Sequence, residues 1–364
     1  MIFVHLFNDR SGSPRVLSSV IEVLADAERD LLLVAHGDGI LESALIPRIH
    51  YRYRRRNIRG LTLIEYLISQ LSLFVLLFKV TRNRPNDEPI YVNTAYPFGA
   101  ALFGKWFGRE VIYHLHEISI TPPVLRRFLW SIVTLTASEV RFVSEHQRKC
   151  TDIEHENVKV IYNAIARELS DKATETIHAE RVCATSTIAV EPFRVLMLST
   201  MRDYKGVPEF FELARQFESD DQYAFELVAN DDRESVARYL SPMMPIPSNV
   251  VISERSDDLA PIYERASVVL NLSRYNEWVE TFGLTILEAM AFSVPVIAPP
   301  VGGPVEILGA DLKEFLVHGY DLEGLTGLLK ELREDQQRYS HVSKLCRSRA
   351  QEFEWSRFAS AIQI

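Results

Sequence analysis

Two glutamates with seven residues between them, in Glu280-Thr-Phe-Gly-Leu-Thr-Ile-Leu-Glu288, lie between an apolar strand pattern and an Ala/Met-rich helix pattern. That order predicts a loop followed by a helix start. Gly283 lets the backbone approach a bound group closely, and the N–H groups at a helix N-terminus attract phosphate oxygens, so a diphosphate fits there. Glu280 on the loop can accept hydrogen bonds from sugar hydroxyls. Glu288, further along the helix, can reach a ribose diol, a group that carboxylates commonly bind. On spacing alone a plainer alternative stays open, with Glu280 a helix-start acid and Glu288 a solvated helix residue.

A second loop offers cations. Arg202-Asp-Tyr-Lys205-Gly206 follows a strand pattern over 195–199 and precedes an amphipathic helix. Arg202 and Lys205 can neutralise a leaving diphosphate, one as a fork of donors and the other as a point charge, or be ordinary loop charges. Gly302-Gly303-Pro304-Val305-Glu306 suits a loop lying against a ligand, with Glu306 flanking the next helix. In the first half His116-Glu117 ends the strand pattern over 111–115, and His114 lies two residues earlier on the same face. One of these histidines reaches the site, or they are structural. The loop Asp9-Arg-Ser-Gly12-Ser13 borders the same region, and Pro14 is placed to start a helix. It lacks the Gly-Lys-Ser/Thr ending of a P-loop, and Gly37-Asp38-Gly39 lacks the third glycine of a dinucleotide fingerprint, so ATP and nicotinamide chemistry are unsupported.

Residues so far apart in sequence need a scaffold that gathers loops at one edge. Short β-type apolar runs alternate with segments of helical period, the pattern of parallel sheets with crossover helices, which predicts an α/β fold. Strands are expected near 2–7, 31–35, 90–94, 111–115, 140–143 and 158–162, with helices near 15–29, 61–79, 99–107 and 124–136. The polar, aperiodic stretch 166–192 reads as a linker or mobile excursion. A second series follows, with strands near 194–199, 224–229, 250–253, 268–272, 294–298 and 315–317, and helices near 206–217, 233–239, 259–266, 284–292 and 322–333. The organisation expected is two Rossmann-like, doubly wound domains, 1–165 and 193–345, and a tail over 346–364. Such sheets bind ligands at the carboxyl ends of their strands, which puts the chemistry in a cleft between the domains.

Bulk properties agree with two domains: 364 residues at 47% hydrophobic content exceed one ordinary core. Cys150, Cys183 and Cys346 form no CxxC pair, so neither a disulfide framework nor a zinc knuckle is indicated. The run from Met1 lacks the features of a secretory signal, and the expected location is cytoplasmic. A net charge of -9 argues against a general nucleic-acid binder. Charge is uneven, however: Arg48, Arg52, Arg54, Arg55, Arg56 and Arg59 cluster without an acid among them. The apolar stretch 61–80 follows at once and is long enough to suggest a membrane span, which Glu65 and Gln70 oppose. It reads as a partly buried amphipathic helix beside a basic patch, able to rest on an anionic leaflet. A core helix with a solvated arginine loop is the alternative.

Taken in order, ETFGLTILE, the continuation AMAFSVPVIAPPVGG with Glu306, the Lys205-Gly206 pair, and the first-half runs VIYHLHE and VKVIYNAI cover nearly the whole chain. This ordered set resembles the retaining glycosyltransferases of family four, which have the GT-B architecture. The resemblance implies that Glu280 contacts the transferred sugar and Glu288 the nucleotide ribose. Lys205 would contact the diphosphate together with Arg202, although the Arg-to-Lys spacing is shorter than usual and Thr200-Met201 replaces the expected Gly-Arg step. His116 matches the family's histidine near the sugar, joining Glu280 at the reacting centre, and Gly12 matches its glycine loop, with a single glycine for the commoner pair. Gly283, Leu284 and Thr285 would offer backbone or hydroxyl contacts to phosphate.

The first domain would bind the acceptor, the second the nucleotide sugar, and the last helix would cross back to the first domain. The implied reaction is metal-independent hexosyl transfer with retention in a closed cleft, without a cofactor. The donor's nucleotide, UDP, GDP or dTDP, is not fixed by the residues. With the membrane reading, the acceptor is a lipid-linked saccharide in bacterial surface polysaccharide synthesis (O-antigen, capsule or exopolysaccharide), met at the inner leaflet of the plasma membrane. A nucleotide-sugar 2-epimerase and a non-catalytic membrane-associated partner subunit are the competing readings.

Overall fold

Strand β1 (Ile2–His5) is buried along its whole length and is an interior strand, third in the order, of a seven-stranded sheet. Its companions are β2 (Leu31–Ala35), β3 (Arg48–Tyr51), β4 (Ile90–Asn93), β5 (Val111–Leu115), β6 (Glu139–Phe142) and β7 (Val158–Val160). The order is β3-β2-β1-β4-β5-β6-β7, and every pair is parallel. Parallel sheets are covered on both faces, which is why most of these strands read as continuous apolar runs. The connecting helices are α1 (Gly12–Leu24), α2 (Arg59–Thr81), α3 (Phe98–Trp106), α4 (Pro123–Thr136) and α5 (Glu145–Cys150). This computed structural model describes residues 1–35, 37, 39–53, 59–182 and 192–363. Arg54, Arg55 and Arg56 of the arginine cluster therefore lie outside the described residues.

The chain divides into two units, one of Met1–Asn163 with the chain end from Phe358, the other of Ala164–Arg357. In the second, β8 (Phe193–Ser199), β9 (Tyr223–Ala229), β10 (Val250–Ser253), β11 (Val268–Leu270) and β12 (Val296–Ile297) form a parallel sheet of order β10-β9-β8-β11-β12. Its helices are α6 (Arg167–Val182), α7 (Val207–Gln216), α8 (Arg233–Leu240), α9 (Ala260–Glu264), α10 (Leu284–Ala291), α11 (Gly303–Leu308), α12 (Leu322–Glu334) and α13 (Gln336–Ala350). The last helix, α14 (Trp355–Ile362), buries Phe358 and Ile362. The Ile362 carbonyl accepts a 2.9 Å hydrogen bond from Arg141, a fully buried arginine of β6 that also pairs with Glu139.

Three expectations need correction. The stretch 166–192 is not a bare linker: α6 occupies 167–182 and packs against α9 and α10. Its apolar content is slight, and polar side chains fix it instead. Arg347 donates to Thr174 Oγ1 at 3.1 Å, and Thr176 donates to Glu264 at 2.6 Å. The strand expected over 315–317 reduces to one bridge, Ala298 with Leu316, after a 3-10 turn over Lys313–Phe315. Conversely, β3 lies inside the arginine-rich segment, where its polar residues concealed an edge strand.

Candidate active site

In the second sheet the chain reverses its winding at β8, whose neighbours are β9 and β11, so loops leaving β8 and β11 diverge around one opening. Open α/β sheets bind ligands at such a switch point, beyond the carboxyl ends of the strands. Lys205 follows β8 and Glu280 follows β11. Lys205 Nζ lies 2.8 Å from Glu280 Oε2, and each side chain keeps about a fifth of its surface exposed. The ammonium also sits 5.0 Å from the centre of the Trp278 ring, which stacks on Tyr204 at 5.3 Å. Cation and aromatic face attract through the ring quadrupole, so Trp278 helps hold Lys205 in place.

Two glycines set these side chains. Gly206 has φ +83°, and a Cβ there would come within 2.2 Å of the Leu272 carbonyl oxygen just beyond β11. Only glycine fits this turn, which fixes the residue before it, Lys205. Gly303 donates from its N–H to the Glu280 carbonyl at 2.9 Å, and a Cβ on it would meet Phe282 backbone atoms at 2.3 Å. The Gly302-Gly303 loop therefore packs on the Glu280–Phe282 backbone, a different reason for its glycines than close approach to a ligand.

Gly283, with φ +110°, is the N-cap of α10, and no side chain caps this helix start. Leu284 and Thr285 are its first residues, so their N–H groups belong to the set that a helix cannot satisfy internally. Glu288 is 1% exposed and accepts a 2.7 Å hydrogen bond from the Tyr263 hydroxyl of α9, which corrects the alternative of a solvated helix residue. Arg202 is half exposed. Its Nη1 donates to the Met201 carbonyl at 2.6 Å and lies 3.5 Å from Asp231 in the loop after β9, so it is turned towards these two loops.

The first sheet has its own switch point, at β1 between β2 and β4, where Gly12 opens α1. His116 follows β5 and donates from Nε2 to Asn93 Oδ1 at 2.8 Å. Asn93, buried at the end of β4, also donates to Ser13 O at 3.1 Å, tying His116 to the Gly12 loop. Burial, reinforced by His5, pushes the His116 pKa down to about 3, so the ring is neutral. His114 is wholly buried and bonded to the Tyr91 hydroxyl at 2.8 Å, a structural histidine of the sheet interior. Glu117 accepts from the Ala95 and His116 N–H groups, but burial outweighs them and raises its pKa to about 7. Sequence reasoning passed over Asn93, Tyr263 and Trp278. A large aromatic in a loop two residues before Glu280 was a usable signal for Trp278, whereas the other two read as ordinary strand and helix positions.

Residues 182–349 match the family Glycosyl transferases group 1. HepE of Anabaena, solved in complex with UDP-glucose, superposes with a TM-score of 0.77 at 19% identity, over 99% of this chain and 97% of that one. The fold is GT-B. D-inositol 3-phosphate glycosyltransferase of Corynebacterium aurimucosum is 31% identical over 131 residues, 36% of this chain and 27% of that protein. The match thus spans about a quarter of that relative's length. N-acetyl-alpha-D-glucosaminyl L-malate synthase of Bacillus anthracis aligns more widely, at 21% identity over 96% of this chain and 90% of its own.

Proposed function

We propose that this protein is a group 1 glycosyltransferase that moves a hexose-type sugar from a nucleoside-diphosphate donor to a saccharide acceptor. The observation that carries this reading is the pairing of Lys205 with Glu280 at the β8/β11 switch point. A donor entering there meets a cation for its diphosphate and a carboxylate for its sugar hydroxyls. The N–H groups at the start of α10 add positive potential where charge builds up on the departing diphosphate, which lowers the barrier more than it stabilises the bound donor. Lys205 and these dipoles carry that role without calling on a metal. Glu288, held by Tyr263, serves the ribose. His116 of the first unit is neutral and can donate or accept single hydrogen bonds without adding charge, which suits the role that the family-four resemblance gives it.

The finer reading is that transfer proceeds at the front face with retention, as in family four, in the cytoplasm, onto a lipid-linked saccharide of a bacterial surface polysaccharide. The HepE complexes, with UDP-glucose and with UDP and glucose, support a UDP donor as the first to try. Melting the protein with UDP, GDP or dTDP identifies the nucleotide, because a ligand that binds only the folded state raises Tm. Glu280→Ala is expected to keep the wild-type melting temperature and nucleotide shift while losing at least about 10²-fold in transfer rate. Full transfer by that variant rules the assignment out. A C2-epimerised donor formed without acceptor points to an isomerase instead.

A further inference from the structure

Helix α2 buries only one side. Tyr66, Leu73 and Leu77 face the sheet, while Leu63, Leu67, Leu71, Val75 and Phe78, spaced three or four residues apart, are each 47–66% exposed along the opposite side. The stripe continues onto α3: the Phe78 ring lies 5.9 Å from that of Phe107, beside Trp106, which is 81% exposed. Soluble proteins rarely leave so long an apolar surface uncovered without a partner for it. Because Gln70 accepts from the Gly99 N–H and Tyr66 donates to the Tyr96 carbonyl, α2 is fastened lengthwise to its own unit.

We propose that this face seats the protein on an anionic lipid bilayer, with α2 lying in the plane of the interface. Charge selects the occupant. Arg48 and Arg84 pair with Glu42 and Glu88, but between them residues 49–82 hold seven arginines and lysines against one acid, Glu65, in a chain whose net charge is -9. A second copy carrying the same local excess of positive charge is repelled, whereas anionic headgroups are attracted. A shallow groove of about 560 Å³ between β3 and α2 has the matching mixed chemistry, with Ile68, Leu71 and Val75 beside Arg52 and Lys79. Long basic side chains lay their stems on apolar surface and keep their heads at the headgroup level, and an exposed tryptophan favours the same depth.

Docking does not depend on the transfer reaction, so co-sedimentation of the full chain with vesicles tests it without turnover. Phosphatidylcholine vesicles with about 30% phosphatidylglycerol are expected to pull down the wild type, pure phosphatidylcholine far less, and added salt to weaken binding. Leu67→Glu with Leu71→Glu should weaken it about tenfold or more while nucleotide-induced melting shifts persist. If that pair disturbs the fold, Leu71→Glu alone and Trp106→Ser report the same loss in smaller steps. Wild type left in the supernatant with anionic vesicles, variants binding as well as wild type, or a lipid-free dimer abolished by the same substitutions would each overturn the proposal.

Discussion

Lys205 and Tyr263 each hold a site glutamate, yet their energetic roles differ because their surroundings do. The Lys205–Glu280 pair keeps about a fifth of each side chain in water. At four-fifths burial the Coulomb gain of such a pair is largely offset by desolvation, so its consequence lies in position and charge. Lys205→Ala, which leaves the part-buried Glu280 carboxylate without its cation, is expected to shift chemical denaturation by about 1–3 kcal/mol, while kcat falls by about 10²-fold or more. Glu288 is buried, and the Tyr263 hydroxyl satisfies one of its oxygens. Tyr263→Phe removes that donor and should cost about 1–3 kcal/mol, read as a lowered urea midpoint, with a raised KM for donor. The type and spacing of Glu280, Glu288 and Lys205 were legible in the sequence, since a loop, a helix start and a glycine turn all leave local marks. Tyr263 was not, because its hydroxyl meets Glu288 only when α9 packs beside α10.

At the level of elements, the site is built from loop backbones packed on one another. The Gly302-Gly303 turn after β12 lies directly on the Glu280–Phe282 segment after β11, and one N–H···O bond joins them. Gly303→Ala places a methyl group within 2.3 Å of Phe282 backbone unless one loop retreats. Such overpacking costs about 1–3 kcal/mol, and the retreat moves Glu280 with it. The expected result is a lowered Tm together with a loss of transfer that persists when assayed well below the melting transition. Most strands and the longer amphipathic helices were read from sequence close to their observed bounds, while α5, α11 and α13 were not assigned. The polar helix α6 and the edge strand β3 were missed because side-chain bonds and a neighbouring strand hold them, and neither signal is local.

For the whole molecule, the buried titratable groups of the first sheet decide how stability responds to acid. Burial lowers the pKa of His5 to about 4 and of His116 to about 3, and holds His114 well below the usual histidine range. Each of these rings binds a proton more readily when unfolded. Their contribution is present above the unfolded value, about 6.5, and is lost as pH falls towards the folded values. Glu117 acts oppositely: with a folded pKa of about 7, it favours the native state when protonated and costs stability as pH rises from the ordinary carboxylate range through 7. Three histidines outweigh one acid, so Tm should fall on acidification from pH 7 to 5. Glu117→Gln removes the opposing contribution. Its melting temperature should exceed that of wild type near pH 8 and drop more steeply towards pH 5, as thermal melts across that range will reveal.

The sequence alone determined two things about this protein: alternation of strand and helix periods required parallel α/β layers, and local patterns placed Glu280, Lys205, Gly206 and Gly283 in loops or at a helix start. Both depend on interactions within a few residues, which a linear pattern records. Tertiary structure alone decided which partner each of those residues meets. Lys205 and Glu280 are 75 residues apart and touch only because β8 and β11 are neighbours in the sheet. Strand order also chose Asn93 as the tether of His116, and helix packing decided which side of α2 is left uncovered. Those choices arise from burying surface between distant segments, for which no short stretch of sequence carries the instruction.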